Sequence, residues 1–274
     1  MRKLSLAAAV LLAGCGGPKA PSAADLARDG VDRSRYTAPG GLRVSILSQG
    51  AADGRRVIFV HGTPGSATAW ESYLRSPLPG TEAVATDRPG FGETLPPDAM
   101  VALKAQAAAI APLLVERGGQ WPVLVGHSLG GPIAAQVALD NPGRVGGLLI
   151  LAGSFDPALE KIHPMQPVGE WWPVRALLPS DLRNANRELL GLKPELAALA
   201  PRLAGLRCRI SIIHGTKDDL VPYANVAFLR AHLSGAAAVD VTRLKGQNHF
   251  IVWNEEPRVR AALAALLAKP SPAC

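Results

Sequence analysis

Val123-Leu124-Val125-Gly126-His127-Ser128-Leu129-Gly130 is the stretch on which the fold turns. Its first three residues form an apolar run. Two glycines then leave room for a sharp bend, and a helical pattern begins near Pro132. Strand, tight turn and helix in that order put Ser128 at the apex. A serine is a poor nucleophile unless its oxygen is exposed, offered to a base and set beside hydrogen-bond donors. A turn of this kind supplies all three conditions.

Outward from the turn the same alternation recurs. Residues 42–47, 56–60, 83–86, 148–151, 210–213 and 239–242 read as further strands, beside 123–125. Residues 101–116, 132–140, 223–233 and 257–268 carry apolar positions three and four apart and read as helices. Strands alternating with helices predict an α/β protein with a mostly parallel central sheet and helices on both faces. Residues 155–205 break the rhythm, with several prolines and short helical pieces at 181–190 and 194–203. They predict a helical cap inserted between two parts of one core, 39–154 and 206–269. Trp171 and Trp172 in that insertion are candidates to line a substrate pocket as an apolar lid, or else to bury the insertion's own core.

Composition narrows the class. The chain has 274 residues, 48% hydrophobic and 19% charged, which suits one globular domain with a sizeable core and excludes a wholly disordered chain. The formal charge of +7 is scattered, without a basic run interleaved with aromatics. Nucleic-acid binding is therefore not expected, and a solvated basic surface favouring anionic lipid headgroups is.

The N-terminus is positive at Arg2 and Lys3, apolar from 4 to 13, and closes on Leu12-Ala13-Gly14-Cys15. The apolar run is too short to span a bilayer. It resembles the signal sequence of bacterial lipoproteins. That resemblance implies a signal peptide at 1–14, cleavage before Cys15, lipidation of Cys15, and a flexible tether over 15–38. Gly16 stands where an inner-membrane retention aspartate is absent, which implies an outer-membrane anchor facing the periplasm. An ordinary secretory signal is the alternative, and it also exports the chain. Cys208 and Cys274 are expected unbridged, the first in the core and the second on a mobile tail over 270–274. No Cys/His pair has zinc-ligand spacing, so no metal is expected.

Ligands of open α/β sheets bind outside the carboxyl ends of the strands. Four such ends carry polar residues here: His61-Gly62-Thr63-Pro64-Gly65, the Ser128 turn, His214-Gly215-Thr216-Lys217-Asp218, and Gly246-Gln247-Asn248-His249. With Asp87-Arg88-Pro89-Gly90-Phe91-Gly92, these segments resemble the motifs of the α/β-hydrolase superfamily, over residues 40–268. The resemblance implies a Ser128, Asp218, His249 triad, with an oxyanion held by the backbone N–H groups of Thr63 and Leu129. Asp218, not Asp219, keeps the motif spacing. His61 and His214 are expected to make structural hydrogen bonds around the site. Family members that open epoxides or displace halide use aspartate at the turn, so serine implies acyl transfer to water. Carboxylic esters with a small to medium apolar acyl group come first. Amides, thioesters, lactones, certain carbon–carbon bonds and perhydrolysis are alternatives. No cofactor is implied beyond side chains and water. A binding lipoprotein that has kept the fold without catalysis is the alternative of another class.

Overall fold

A computed structural model describes residues 21, 23–269 and 271–274. The expected signal peptide at 1–14 and the expected lipidation of Cys15 fall outside the described residues. One sheet is built from β1 (Asp32–Ala38), β2 (Leu42–Gly50), β3 (Arg55–Val60), β4 (Thr81–Thr86), β5 (Val123–His127), β6 (Gly147–Leu151), β7 (Arg209–Gly215) and β8 (Ala238–Leu244). Their spatial order is β1-β2-β4-β3-β5-β6-β7-β8. The β1–β2 and β2–β4 pairs are antiparallel, and every other neighbouring pair is parallel. The helices are α1 (Ala23–Arg28), α2 (Glu71–Arg75), α3 (Leu103–Ile110), α4 (Gly130–Asp140), α5 (Trp172–Leu177), α6 (Ser180–Leu199), α7 (Asn225–His232), α8 (Ile251–Asn254) and α9 (Glu256–Ala268). Among the described residues no helix is long and apolar enough to cross a membrane.

The strand sequences explain the layers. β5 and β6 are buried along their whole length, so they read as unbroken apolar runs rather than as an alternation. Their side chains still divide by parity. Leu124, Leu148 and Ile150 join Ile133 and Val137 of α4 in one core, while Val123, Val125 and Leu149 join Tyr73 of α2 and Leu263 of α9 in the other. Each such buried Leu, Ile or Val contributes roughly 1.5–3 kcal/mol. Helix α4 is buried from Gly130 to Ala138, because the sheet covers one side and α3 and α6 cover others.

Three expectations are corrected. Residues 23–38 are not a free tether: α1 and β1 occupy them, Leu26 and Val31 are buried, and β1 pairs with β2 along its length. β1 is an edge strand whose Arg33 reaches in to the buried Asp87 and Ser45 and whose Arg35 pairs with Glu93, a composition that hides a strand among polar residues. The end of the chain is likewise held. Cys208 and Cys274 form a disulfide, Cys274 is buried, and its backbone N–H donates to the Val145 carbonyl at 2.7 Å. The two helical pieces of the insertion are one helix, α6, running through Pro194. Burial of Leu192, Leu196 and Leu199 outweighs the roughly 3 kcal/mol that an interior proline costs. Between β6 and β7 the described residues hold helices and turns and no strand.

Strand order also fixes where a site can form. The chain leaves β3 for β4 on one side, then crosses back to β5 on the other. The crevice at the carboxyl ends of β3 and β5 is therefore a topological switch point, the place where this architecture accommodates a ligand.

Candidate active site

Ser128 follows β5 directly and sits at φ 55°, a left-handed conformation that a residue with a side chain adopts only when its surroundings impose it. Here the surroundings are explicit. Ser128 N–H donates to the Leu151 carbonyl of β6 at 2.9 Å, and the Ser128 carbonyl accepts from Gly131 N–H at 3.0 Å. The glycines of the turn are steric necessities, since a Cβ at Gly126 would overlap the Gly130 carbonyl and one at Gly130 the Val60 carbonyl.

Asp218 lies in the loop after β7, and His249 in the loop after β8. His249 Nδ1 donates to Asp218 Oδ2 at 2.7 Å. The other oxygen, Oδ1, accepts from the backbone N–H of Val221 at 2.7 Å and of Leu220 at 3.0 Å. Burial opposes charge on this carboxyl. Hydrogen bonds from His214 and His249, the His249 charge and the Val221 N–H outweigh that and hold its pKa well below the usual carboxylate range. Asp218 is thus an anion that accepts two backbone N–H bonds on Oδ1 and the His249 ring on Oδ2. His214 Nε2 donates to the Val221 carbonyl at 2.9 Å and lies 3.4 Å from Asp218 Oδ2, bracing the acid loop. Asp219 has no part in this arrangement.

His127 packs its ring against that of His249 at a tilt of 41°, with centroids 4.7 Å apart, and donates from Nε2 to the His249 carbonyl at 3.1 Å. Burial, then the charge of His249, lowers its pKa to about 3, so it is a neutral donor that fixes the His249 backbone. His163 Nδ1 accepts from Met165 N–H, and His232 donates from Nδ1 to the Phe228 carbonyl and stacks on the Phe228 ring, both away from the cavity.

Ser128, His249, Thr63 and Leu129 line one cavity of about 150 Å³. Leu189 and Leu192 of α6, Val221, Val252 and Trp253 make much of its wall, and Glu160, Lys161 and Gln166 add polar groups from the cap. The tryptophans expected there are elsewhere. Trp171 and Trp172 are 62% and 77% exposed and line neither the cavity nor a core of the insertion. The cap residues that do line it carry no motif; only the packing of α6 over the sheet reveals them. Among the described residues no group of three or more His, Cys, Asp or Glu side chains is gathered as a metal centre requires.

The family described as alpha/beta hydrolase fold matches this chain over residues 55–207. A dihydrolipoyllysine-residue acetyltransferase component of an acetoin cleaving system from Cupriavidus necator is 32% identical over 156 residues, 55% of this chain and 41% of that protein. The matched stretch thus spans well under two thirds of that relative. Among solved structures, a membrane phospholipase A described as a bacterial virulence factor covers 96% of this chain and 93% of its own, with a TM-score of 0.66 and 18% identity. A structure from work on carboxylesterases of Nitrososphaera gargenis has a TM-score of 0.68 at 16% identity, covering 86% of this chain and 98% of its own. At such identities these structures share the fold.

Proposed function

We propose that this chain, which belongs to the α/β-hydrolase fold family, hydrolyses carboxylic esters through Ser128, His249 and Asp218. The observation that carries the reading is the 2.7 Å bond between His249 Nδ1 and Asp218 Oδ2, because it leaves Nε2 of His249 as the free basic nitrogen in the cavity that also holds Ser128. Ser128 Oγ attacks the ester carbonyl while His249 takes its proton. The oxyanion is held by the N–H groups of Thr63 and Leu129. His249 then returns the proton to the departing alcohol, leaving an acyl-enzyme, and activates the water that hydrolyses it. Asp218 stabilises the imidazolium throughout.

A cavity of about 150 Å³ with leucine and valine walls supports a small to medium apolar acyl group, since an apolar cavity of roughly that volume admits a molecule the size of benzene. Turnover of p-nitrophenyl esters from acetate to palmitate tests this, with a maximum expected at the short end. A preference for charged or sugar esters overturns the acyl assignment. A fluorophosphonate probe tests the nucleophile: labelling of the wild-type chain that vanishes in Ser128→Ala is expected, and a folded wild type that takes no label points to a binding protein.

The reading includes export and lipid anchoring at Cys15, supported by the pattern of residues 2–15. The Cys208–Cys274 disulfide adds support, because such bonds persist in oxidising compartments. Metabolic labelling with a radioactive fatty acid checks it. Label lost in Cys15→Ser is expected, and equal label in both chains refutes the anchor.

A further inference from the structure

The peptide joining Gly62 to Thr63 is gripped from one side. Its carbonyl oxygen, on Gly62, accepts from Arg88 Nη2 at 2.8 Å and from His61 Nδ1 at 2.7 Å. Burial, then the charge of Arg88, pushes the His61 pKa well below its ordinary value, so the ring is neutral. Its single proton serves Gly62, and its Nε2 accepts the Arg88 backbone N–H at 3.1 Å. Both lone pairs of the Gly62 oxygen are engaged.

Arg88 is fixed in turn by the cap. Glu188 on α6 receives it through two bonds, Nη1 to Oε1 at 2.7 Å and Nη2 to Oε2 at 3.1 Å. Arg88 Nη1 also donates to Gln106 Oε1 at 2.6 Å, and Gln106 Nε2 donates to Glu188 Oε1 at 2.8 Å and to the Met100 carbonyl at 2.6 Å. The Arg88 and Glu188 side chains are 0% and 1% exposed. A planar guanidinium held by a carboxylate fork has little rotational freedom, so the group that reaches Gly62 is pre-set.

This grip has a consequence on the opposite side of the peptide. The Gly62–Thr63 bond is trans, so the Thr63 N–H points away from the Gly62 carbonyl. The carbonyl faces the buried Arg88 and His61. Across the loop, Gly62 lies against the nucleophile: a Cβ on Gly62 would stand 2.8 Å from Ser128 Cβ and 3.4 Å from Ser128 Oγ. Were the peptide to rotate, an acceptor would replace a donor beside the developing oxyanion.

We propose that Arg88, backed by Glu188, is a positioning residue that locks the Gly62–Thr63 peptide with its N–H toward the oxyanion, and that it makes this orientation depend on the cap helix α6 being seated. The inference rests on the serine-hydrolase reading above. It assigns the buried ion pair a kinetic role that neither residue could have through contact with substrate, since neither lines the cavity.

The test compares wild type with the double variant Arg88→Met, Glu188→Met in the full chain, by turnover of p-nitrophenyl butyrate across pH and by thermal unfolding. Removing both charges at similar volume is a replacement that buried ion pairs tolerate. The expected result is a cooperative unfolding transition and a kcat lower by about 10- to 100-fold, below the 10²–10³ of a whole lost donor because His61 still holds the carbonyl. KM stays within about threefold, and the midpoint of the kcat–pH profile is unmoved because His249 and Asp218 are untouched. Arg88→Lys is the second variant should the double fail to fold. It keeps a charge facing Glu188 but lacks the fork that reaches Gly62 as well, and a fall in kcat without a matching rise in KM is again expected. A folded variant with wild-type kcat overturns the proposal, as does a loss in which the pH midpoint shifts, which would put the defect on His249. A wild type that neither turns over esters nor takes a fluorophosphonate overturns the hydrolase reading and this proposal with it; an active wild type with unslowed variants overturns this proposal alone.

Discussion

His249 Nδ1 and Asp218 Oδ2 stand 2.7 Å apart although they lie on loops that follow different strands, and this one bond selects the tautomer of His249. Asp218→Asn keeps the shape but offers the ring an amide, which can donate where the carboxylate only accepts. The fold is expected to survive while kcat falls by about 10⁴-fold, the effect of a misplaced imidazole proton. Stopped-flow acylation of Ser128 measures it, and a loss below tenfold would remove Asp218 from the mechanism.

His127 makes stability depend on pH. Its folded pKa of about 3 lies below the 6.5 of an unperturbed histidine, so between those values the unfolded chain binds a proton that the folded chain does not. Stability from this group is fully present above about pH 6.5 and declines as pH falls toward 3, at roughly 1.4 kcal/mol per pH unit. The ring faces His249, Asp218, His214 and Trp253, and His61 adds a slope of the same sign. Urea unfolding of wild type and His127→Gln between pH 4.5 and 6 is expected to show the shallower slope in the variant; parallel lines would count against it.

The Cys208–Cys274 bond closes a separation of 66 residues. Cys274→Ser is expected to cost about 2–4 kcal/mol, mostly through a freer unfolded chain. Cys208 precedes β7, whereas Asp218 follows its far end, so kcat of the folded variant should match wild type. Denaturant unfolding and ester turnover on the same sample separate the two effects.

Trp171 and Trp172 lie outside the cavity wall and are open to solvent. Replacing both with serine is expected to leave kcat/KM for a soluble short-chain ester within about twofold, as surface changes away from a site usually do. A loss beyond tenfold would restore them to the substrate pocket.

Much of the sheet was legible because its central strands are continuous apolar runs, a pattern that residues 123–125, 148–151 and 210–213 could adopt in few other ways. β1 was not. Asp32-Arg33-Ser34-Arg35-Tyr36-Thr37-Ala38 looks like a polar linker, because an edge strand buries little and carries charges that deter further pairing. The site divides in the same manner. Ser128, Asp218 and His249 carry motif spacing. Arg88 stood within a recognised motif without a role, and Glu188 had no signal at all, since their meaning lies in a contact across 100 residues.

The sequence by itself determined the alternation of strand and helix, the serine at a turn only glycines can flank, and the polar residues at strand ends. Those are local properties, written in periodicity and in the space each side chain takes. Only the tertiary structure decided that Cys274 is tied back to Cys208 just before β7, that Trp171 and Trp172 face water while leucines of α6 line the cavity that holds Ser128, and that a buried ion pair holds the Gly62 carbonyl. Each of these depends on which surfaces meet when distant segments pack, and burial energies are settled by that meeting rather than by any segment alone.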